Sequence, residues 1–296
     1  MQQENQNKNF INGGQAFFIM VIIYFLATFI GQGLLGITGL DTGLFFYSIS
    51  GIITMGSIAI VIFLARFQVK RPLFEVINLQ KFNPIYIAFA LVLSLSMFFG
   101  FGFVNDAFIK ILRAIGLTVN TTGLTVNTGL ELFIYSIVYA LLPAVIEESF
   151  FRGVMLKGIK GRAILTSLLI GLCFALYHLS FAQFIYQFIY GVSLTFLAIR
   201  AKSAIPSMIA HFTNNFLVLL LSFVKAKVDL NNLLVIIMAI ALFLLFWVVL
   251  VVYKPKKQEK KEDQDIKGIA VKDFWLPYGL IAMVACFAII VCSLFI

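Results

Sequence analysis

This sequence has very little charge. Only 12% of its 296 residues are Asp, Glu, Lys or Arg, whereas 61% are hydrophobic and the mean hydropathy is +1.03. Soluble domains are nearer one half apolar and one quarter charged. A soluble fold could not hide so much apolar surface from water, so the composition excludes an ordinary soluble domain. It predicts a protein that crosses a membrane several times.

Cysteine is also scarce, and the positions of the three cysteines exclude a disulfide framework. Cys173, Cys286 and Cys292 all lie in apolar runs, where a thiol behaves as a small buried hydrophobe. Despite a formal charge of +9, the chain has no basic-aromatic patch of the nucleic-acid-binding kind, so no nucleic-acid partner is expected. The first apolar run is too long for a signal-peptide core, which predicts a retained helix.

Long apolar runs are abundant. Lipid offers the backbone no hydrogen-bond partners, and no alternating barrel pattern is present, so these runs are expected to be helices. We predict an all-α fold, a polytopic transmembrane bundle of about eight to nine helices, since each span needs about 20 apolar residues. A tight connection around Ser180 separates the fifth run from the sixth. The nine runs are 16–36, 43–65, 84–104, 131–156, 163–180, 182–199, 204–224, 231–253 and 275–296.

The distribution of basic residues predicts the orientation of the bundle. With the N-terminus in the cytoplasm and nine crossings, seventeen Lys and Arg residues lie on the inner side and four on the outer side. This asymmetry satisfies the positive-inside rule and places the C-terminus outside. The highly charged loop 254–273 is then cytoplasmic, and the tandem repeat at 116–129 lies in an outer loop.

Within the apolar runs, acidic and basic side chains are confined to the fourth run. A carboxylate in the hydrocarbon costs about 2.5–3.5 kcal/mol on insertion scales, so its presence indicates a functional site. Glu148 and Arg152 are four residues apart, in the order that favours a helical ion pair. Glu147 lies about 100° around the helix from Glu148. The sequence therefore predicts one structural acid and one acid that is available for chemistry.

The only two histidines also lie in apolar runs. His178 is in the fifth run and His211 in the seventh, where Asn215 follows four residues later on the same helical face. Imidazole is a common general base and metal ligand, and an Asn amide can donate to a developing oxyanion. Counted from the cytoplasmic basic residues, Glu147, His211 and Asn215 lie about 14–20 Å deep at about 1.5 Å per residue. His178 lies about 24 Å deep on the same count, so it fits a common site least well.

Three motifs between residues 143 and 224 resemble those of a known family. In their order on membrane helices they look like the CPBP family of CAAX proteases and bacteriocin-processing enzymes. This family is also called Abi and includes the type II CAAX prenyl endopeptidases. The motifs are Glu-Glu-x-x-x-Arg at Glu147, Glu148 and Arg152, Phe-x-x-x-His at Phe174 and His178, and His-x-x-x-Asn at His211 and Asn215.

The resemblance implies an intramembrane endopeptidase and assigns roles to these side chains. Glu147 and His178 would activate a water molecule. His211 and Asn215 would stabilise the tetrahedral oxyanion. The residues that would hold the first acid in place or support the site are Glu148, Arg152 and Phe174.

The resemblance leaves the cofactor open. A zinc ion would be bound by Glu147, His178 and His211, three ligands that leave one position for water. A metal-free glutamic peptidase would use Glu147 as its base. Both mechanisms end in attack of water on an amide carbonyl. The expected partners are a membrane-embedded peptide or protein substrate and the lipid bilayer.

We also expect the chain to divide into three regions. An N-terminal three-helix membrane region with an outer loop would cover 1–130, and the peptidase core would cover 131–224. The C-terminal helices with the charged loop would cover 225–296. A composition rich in Asn, Lys and Ile favours a bacterial source, and hence the cell membrane.

A non-enzymatic membrane protein is the competing hypothesis. A bacteriocin-immunity factor or a scaffold that regulates a sensor kinase could use the same fold. A lone histidine in an apolar helix is also more often a packing residue than a ligand. Every motif position is occupied here, which favours the enzyme. A transporter is disfavoured because the runs show no internal repeat.

Overall fold

The computed structural model describes residues 12–39, 42–117, 119, 124–225, 232–253, 269–270 and 273–293. About 83% of these residues are helical, and seven helices among them are long and apolar enough to cross a membrane. The predicted all-α, polytopic architecture is therefore confirmed. Most of the charged loop 254–273 and the centre of the 116–129 repeat lie outside the described residues.

The elements are helices joined by short connections, with two short strands. The α-helices are α1 (Gly13–Ile37), α2 (Gly43–Val69), α3 (Leu73–Val76), α4 (Ile85–Gly100), α5 (Gly102–Ala114), α6 (Gly129–Tyr135), α7 (Leu142–Glu148), α8 (Ala163–Tyr177), α9 (Phe181–Ala201), α10 (Ile205–Val224), α11 (Leu233–Val252) and α12 (Leu280–Cys292). Three π-helical segments are π1 (Ser136–Leu141), π2 (Ser149–Met155) and π3 (Trp275–Gly279). Strands β1 (Ile159–Lys160) and β2 (Ile269–Ala270) pair in parallel.

Each of the nine predicted apolar runs contains a helix. The seven of spanning length are α1, α2, the continuous α4–α5 stretch, the rod from α6 to π2, α9, α10 and α11. The fifth and ninth runs form shorter apolar helices, Ala163–Tyr177 and Pro277–Cys292. The tight connection predicted near Ser180 is present, since α8 ends at Tyr177 and α9 begins at Phe181.

Polar and basic side chains mark several helix ends. Asn12 and Asn232 accept hydrogen bonds from the first backbone N–H groups of α1 and α11. Thr128 and Glu131 form a reciprocal capping box at the start of α6. Lysines in the left-handed conformation end α2, α9 and α10, at Lys70, Lys202 and Lys225.

The rod that carries the acidic residues is not a regular α-helix. Within residues 129–155, π1 and π2 each widen a turn, and the N–H of Leu142 bonds to the carbonyl of Ile137 five residues earlier. Pro143 has no N–H to offer the carbonyl of Tyr139, its α-helical partner four residues earlier. π segments of this kind are frequent at functional sites.

A short segment after α2, which includes Ile77 and Asn78, packs against π2 and bonds to two other parts of the chain. Gly153 permits this approach, since a Cβ there would lie 2.6 Å from the Cα of Ile77. Asn78 is in the left-handed conformation, and its Nδ2 donates to the carbonyl of Arg152 at 3.2 Å. The carbonyl of Asn78 accepts from the N–H of Ala204 at 2.9 Å. The rod is therefore fixed at the turn that carries Arg152.

Two hydrophobic clusters meet at the polar residues of the bundle. One draws on α1, α2, π2, α8 and α12 and includes Phe174, and the other draws on α4, α9, α10 and α11 and includes Tyr190. A Cβ on Gly191 would lie 3.1 Å from the Cα of Gly171, so these two glycines let α8 and α9 approach closely. The ring of His211 lies between the clusters, 5.8 Å from the Phe174 ring centroid and 6.2 Å from that of Tyr190.

Candidate active site

Glu148 joins two of the sequence motifs through one carboxylate oxygen. Arg152 Nη1 donates to Glu148 Oε1 at 2.7 Å, and His211 Nδ1 lies 2.9 Å from the same oxygen. Glu148 and Arg152 are both fully buried. The predicted ion pair is thus present, and it has a third member that the sequence analysis did not predict. The hydrogen bond to Glu148 thus orients His211. Among the described residues, no hydrogen bond joins Glu148 to Glu147.

Arg152 has partners on three sides. Its Nη2 donates to the carbonyl of Gly191 at 2.9 Å, and its guanidinium lies 4.7 Å from the ring centroid of Phe174. An aromatic face attracts a cation through the ring quadrupole. A buried charge requires such pairing, because desolvation costs more than a single contact returns. Arg152 therefore links the rod to α8 and α9.

The tautomer of His178 follows from its hydrogen bond. Its Nδ1 lies 2.7 Å from the carbonyl of Phe174, one turn earlier in α8. A carbonyl can only accept, so Nδ1 carries the hydrogen and Nε2 presents a lone pair. The ring of Phe174 lies 4.6 Å from His178 and 5.8 Å from His211 between centroids. Although the sequence predicts a greater depth for His178, the ring of Phe174 lies beside both His178 and His211.

Glu147 differs from Glu148 in its partners: no Arg or His side chain bonds to Glu147 among the described residues, although Oε2 lacks a hydrogen-bond partner in both acids. Glu147 is only 4% exposed. The Tyr177 side chain, also buried, is placed to donate a hydrogen bond to this carboxylate. No hydrogen bond or ion pair joins Glu147 to either histidine within the described part of the chain. The acid predicted to be available for chemistry is buried and incompletely paired.

Asn215 bonds to the irregular part of the rod. Its Nδ2 donates to the carbonyl of Tyr139 at 3.1 Å, the carbonyl that Pro143 cannot serve. Asn214 Nδ2 lies 3.4 Å from Asn215 Oδ1, and the Tyr186 hydroxyl lies 2.6 Å from Asn214 Oδ1. Asn215 is thus the end of a chain of polar side chains that enters the site from α9.

The site contains side chains of the kinds that bind metal ions. Two imidazoles and a carboxylate are ligand types that zinc accepts. Among the described residues, however, no three His, Cys, Asp or Glu side chains lie close enough to hold a metal ion. His211 Nδ1 and Glu148 are already engaged with each other and with Arg152. The arrangement does not fit a preassembled three-ligand zinc site.

The structure brings all three motifs together. Glu148, Arg152, Phe174, His178 and His211 form one connected group of hydrogen bonds and ring contacts. Glu147 lies on the same rod as Glu148, and Asn215 lies on α10. Each of the two has hydrogen-bond partners of its own. The additional polar side chains that sequence analysis left out of the site are Tyr177, Tyr186 and Asn214. Their adjacency in sequence to His178 and Asn215 was the available signal for two of them.

These features define a class of protein before any comparison is made: a polytopic helical membrane protein with a polar Glu/His site buried among its helices. Residues 128–217 match the family model described as Rce1-like, Type II CAAX prenyl endopeptidase Rce1-like. This segment contains all three motifs, and the match confirms the family resemblance seen in the sequence. The family is one of proteases. No curated protein and no solved structure gives a significant match to the chain.

Proposed function

We propose that the protein is an intramembrane endopeptidase that hydrolyses a peptide bond of a membrane-associated peptide or protein. The observation that carries the proposal is the contrast within the acid pair. Glu148 is engaged by Arg152 and His211, whereas the buried Glu147 has neither an Arg nor a His partner among the described residues. A buried carboxylate that is not used in structure is a candidate general base.

In the proposed reaction Glu147 and His178 act on a water molecule. Glu147 accepts one proton of the water, and the His178 Nε2 lone pair accepts a hydrogen bond from the second. The water oxygen forms a bond to the carbonyl carbon of the substrate, and the carbonyl π electrons move onto its oxygen. Collapse of this tetrahedral species breaks the C–N bond, and the proton held by Glu147 passes to the leaving amine.

The proposed oxyanion stabilisers are His211 and Asn215. His211 can donate from Nε2 when its ring is doubly protonated, and Glu148 is then the adjacent counter-charge, 2.9 Å from Nδ1. Asn215 donates one amide N–H to Tyr139 and has a second on the same nitrogen. Preorganised donors of this kind stabilise the charge that develops in acyl transfer.

The substrate class and the orientation belong to the same proposal. A site among apolar helices is reached most readily by a substrate that is itself anchored in the membrane. The description of the matching family model names a CAAX prenyl endopeptidase, which supports a membrane-associated substrate. The proposed orientation has the N-terminus in the cytoplasm, which the distribution of basic residues favours.

The test compares cellular peptides and small membrane proteins between cells that carry the wild type and cells that carry Glu147→Gln or His178→Ala. Loss of general base action lowers rates about 10²–10⁴-fold, so uncut precursors should accumulate in both variants. Glu131→Gln is the matched control, because Glu131 caps α6 outside the site. Wild-type processing in Glu147→Gln cells would refute the enzyme and favour the non-enzymatic scaffold. Metal analysis of the purified protein separates the zinc mechanism from the metal-free one.

A further inference from the structure

We propose that Tyr186 and Asn214 are positioning residues that orient the side-chain amide of Asn215. The inference rests on the proposed function, in which an N–H of Asn215 donates to the oxyanion. The three side chains form a hydrogen-bonded chain that runs from α9 through two adjacent residues of α10 to the carbonyl of Tyr139 in π1. We call these three side chains, together with the carbonyl of Tyr139, the amide relay.

The direction of every bond in the amide relay follows from its last acceptor. The carbonyl of Tyr139 can only accept, so the end of the Asn215 amide that faces it must be Nδ2. The other end of that amide, Oδ1, then needs a donor, which Asn214 Nδ2 supplies at 3.4 Å. Asn214 is left with its Oδ1 facing the Tyr186 hydroxyl at 2.6 Å, so Tyr186 must donate.

The relay matters because the two ends of an amide have nearly the same shape. A flipped Asn215 would present its oxygen to Tyr139 and to the site, and an oxygen would repel the oxyanion. With the relay intact, one N–H of Asn215 bonds to Tyr139 and the second is left to donate. Asn214 is only 5% exposed, so water cannot readily replace a bond that is lost there.

The first member of the relay is itself held in place. The backbone N–H of Tyr186 donates to Asn105 Oδ1 of α5 at 3.3 Å, so the start of the relay is tied to a second helix. Its last acceptor depends on Pro143, which removes the helical N–H that would otherwise serve Tyr139. The relay therefore connects α5, α9, α10 and π1, and its polarity is set by a proline beside the acid pair.

The kinetic test removes single hydrogen-bonding groups and keeps side-chain shape. Tyr186→Phe deletes one hydroxyl, and Asn214→Leu deletes both polar atoms of the amide. We expect kcat to fall about five- to tenfold in each with KM little changed, as for a neutral hydrogen bond that acts only on the transition state. Tyr190→Phe is the matched control, since this buried tyrosine lies one turn later on α9 and outside the relay. Equal kcat in Tyr186→Phe and Tyr190→Phe would overturn the proposal.

A second measurement does not depend on activity. Thermal unfolding of the full-length protein is compared for Tyr186→Phe, Asn215→Leu and the double variant. In a relay the second substitution removes a bond that the first has already weakened, so the shifts in Tm should be clearly less than additive. Additive shifts contradict the relay. A wild type that cleaves nothing refutes the proposed function, and the stability cycle then still decides whether the relay exists.

Discussion

Two neighbouring glutamates on one helix occupy contrasting surroundings. Around Glu148 a carboxylate oxygen is shared by a guanidinium and an imidazole, and the guanidinium also reaches the Gly191 carbonyl and the Phe174 face. Glu147 is also buried, but no guanidinium or imidazole bonds to it among the described residues, and Oε2 lacks a hydrogen-bond partner in both acids. Burial alone therefore does not assign a role to either carboxylate. The guanidinium and imidazole partners distinguish the acid that we propose to be structural from the acid that we propose to be reactive.

The largest expected effect comes from removing the positive charge of Arg152, the partner of Glu148. Arg152→Leu leaves the Glu148 carboxylate buried without its main counter-charge, which costs about 3–5 kcal/mol. We expect little protein to accumulate in the membrane, measured by quantitative blotting. The double variant Glu148→Gln with Arg152→Leu removes both charges and should restore part of the accumulation. Wild-type levels of Arg152→Leu protein would show that the ion pair is not structural.

A smaller effect is expected when the Glu148 charge alone is removed. Glu148→Gln keeps a hydrogen-bonding oxygen for Arg152 and His211 but loses the negative charge, which costs about 1–3 kcal/mol. Accumulation or activity should fall partially, whereas Glu147→Gln should lose activity and keep its wild-type level. Accumulation and activity are therefore both measured in both variants. If the two variants behave alike, the division of roles within the acid pair is wrong.

The smallest effect is expected at the ring beneath the guanidinium. Phe174→Leu removes the face that lies 4.7 Å from the Arg152 guanidinium and the ring between the two histidines. A desolvated cation–π contact is worth up to about 2 kcal/mol, and Leu recovers part of the packing. We expect a Tm lowered by a few degrees and a modest loss of activity. Phe150→Leu, in the same hydrophobic cluster but without a cation contact to Arg152 among the described residues, is the control.

Much of the site could be predicted from the sequence because its motifs lie within single helices. The pairing of Glu148 with Arg152 follows from a spacing of four residues, and the structure has that bond. The bond between His211 and Glu148 could not be predicted, since 63 residues separate the two in the chain. From the family resemblance we expected Glu148 to hold Glu147, but the hydrogen bonds of Glu148 go to Arg152 and His211.

The depth of His178 in the membrane is a second property that the sequence alone does not give. Counting residues from the cytoplasmic basic side chains places His178 several ångströms deeper than the other groups, because the count assumes straight helices that start level with one another. In the structure α8 is a short helix of 15 residues, and the ring of Phe174 spans the distance from His178 to His211. Helix position and tilt are set by packing against neighbours, which a count along one helix does not contain.

The sequence alone shows that this chain is a helical membrane protein, where its helices run, and which few polar residues they carry. Composition and hydrophobic length decide these points, because lipid accepts only apolar helices with satisfied backbones. The tertiary structure adds that His211 bonds to Glu148 beside Arg152, and that Asn215 bonds to a carbonyl that Pro143 cannot serve. Those contacts join different helices, and their geometry depends on how the helices rotate and pack against one another.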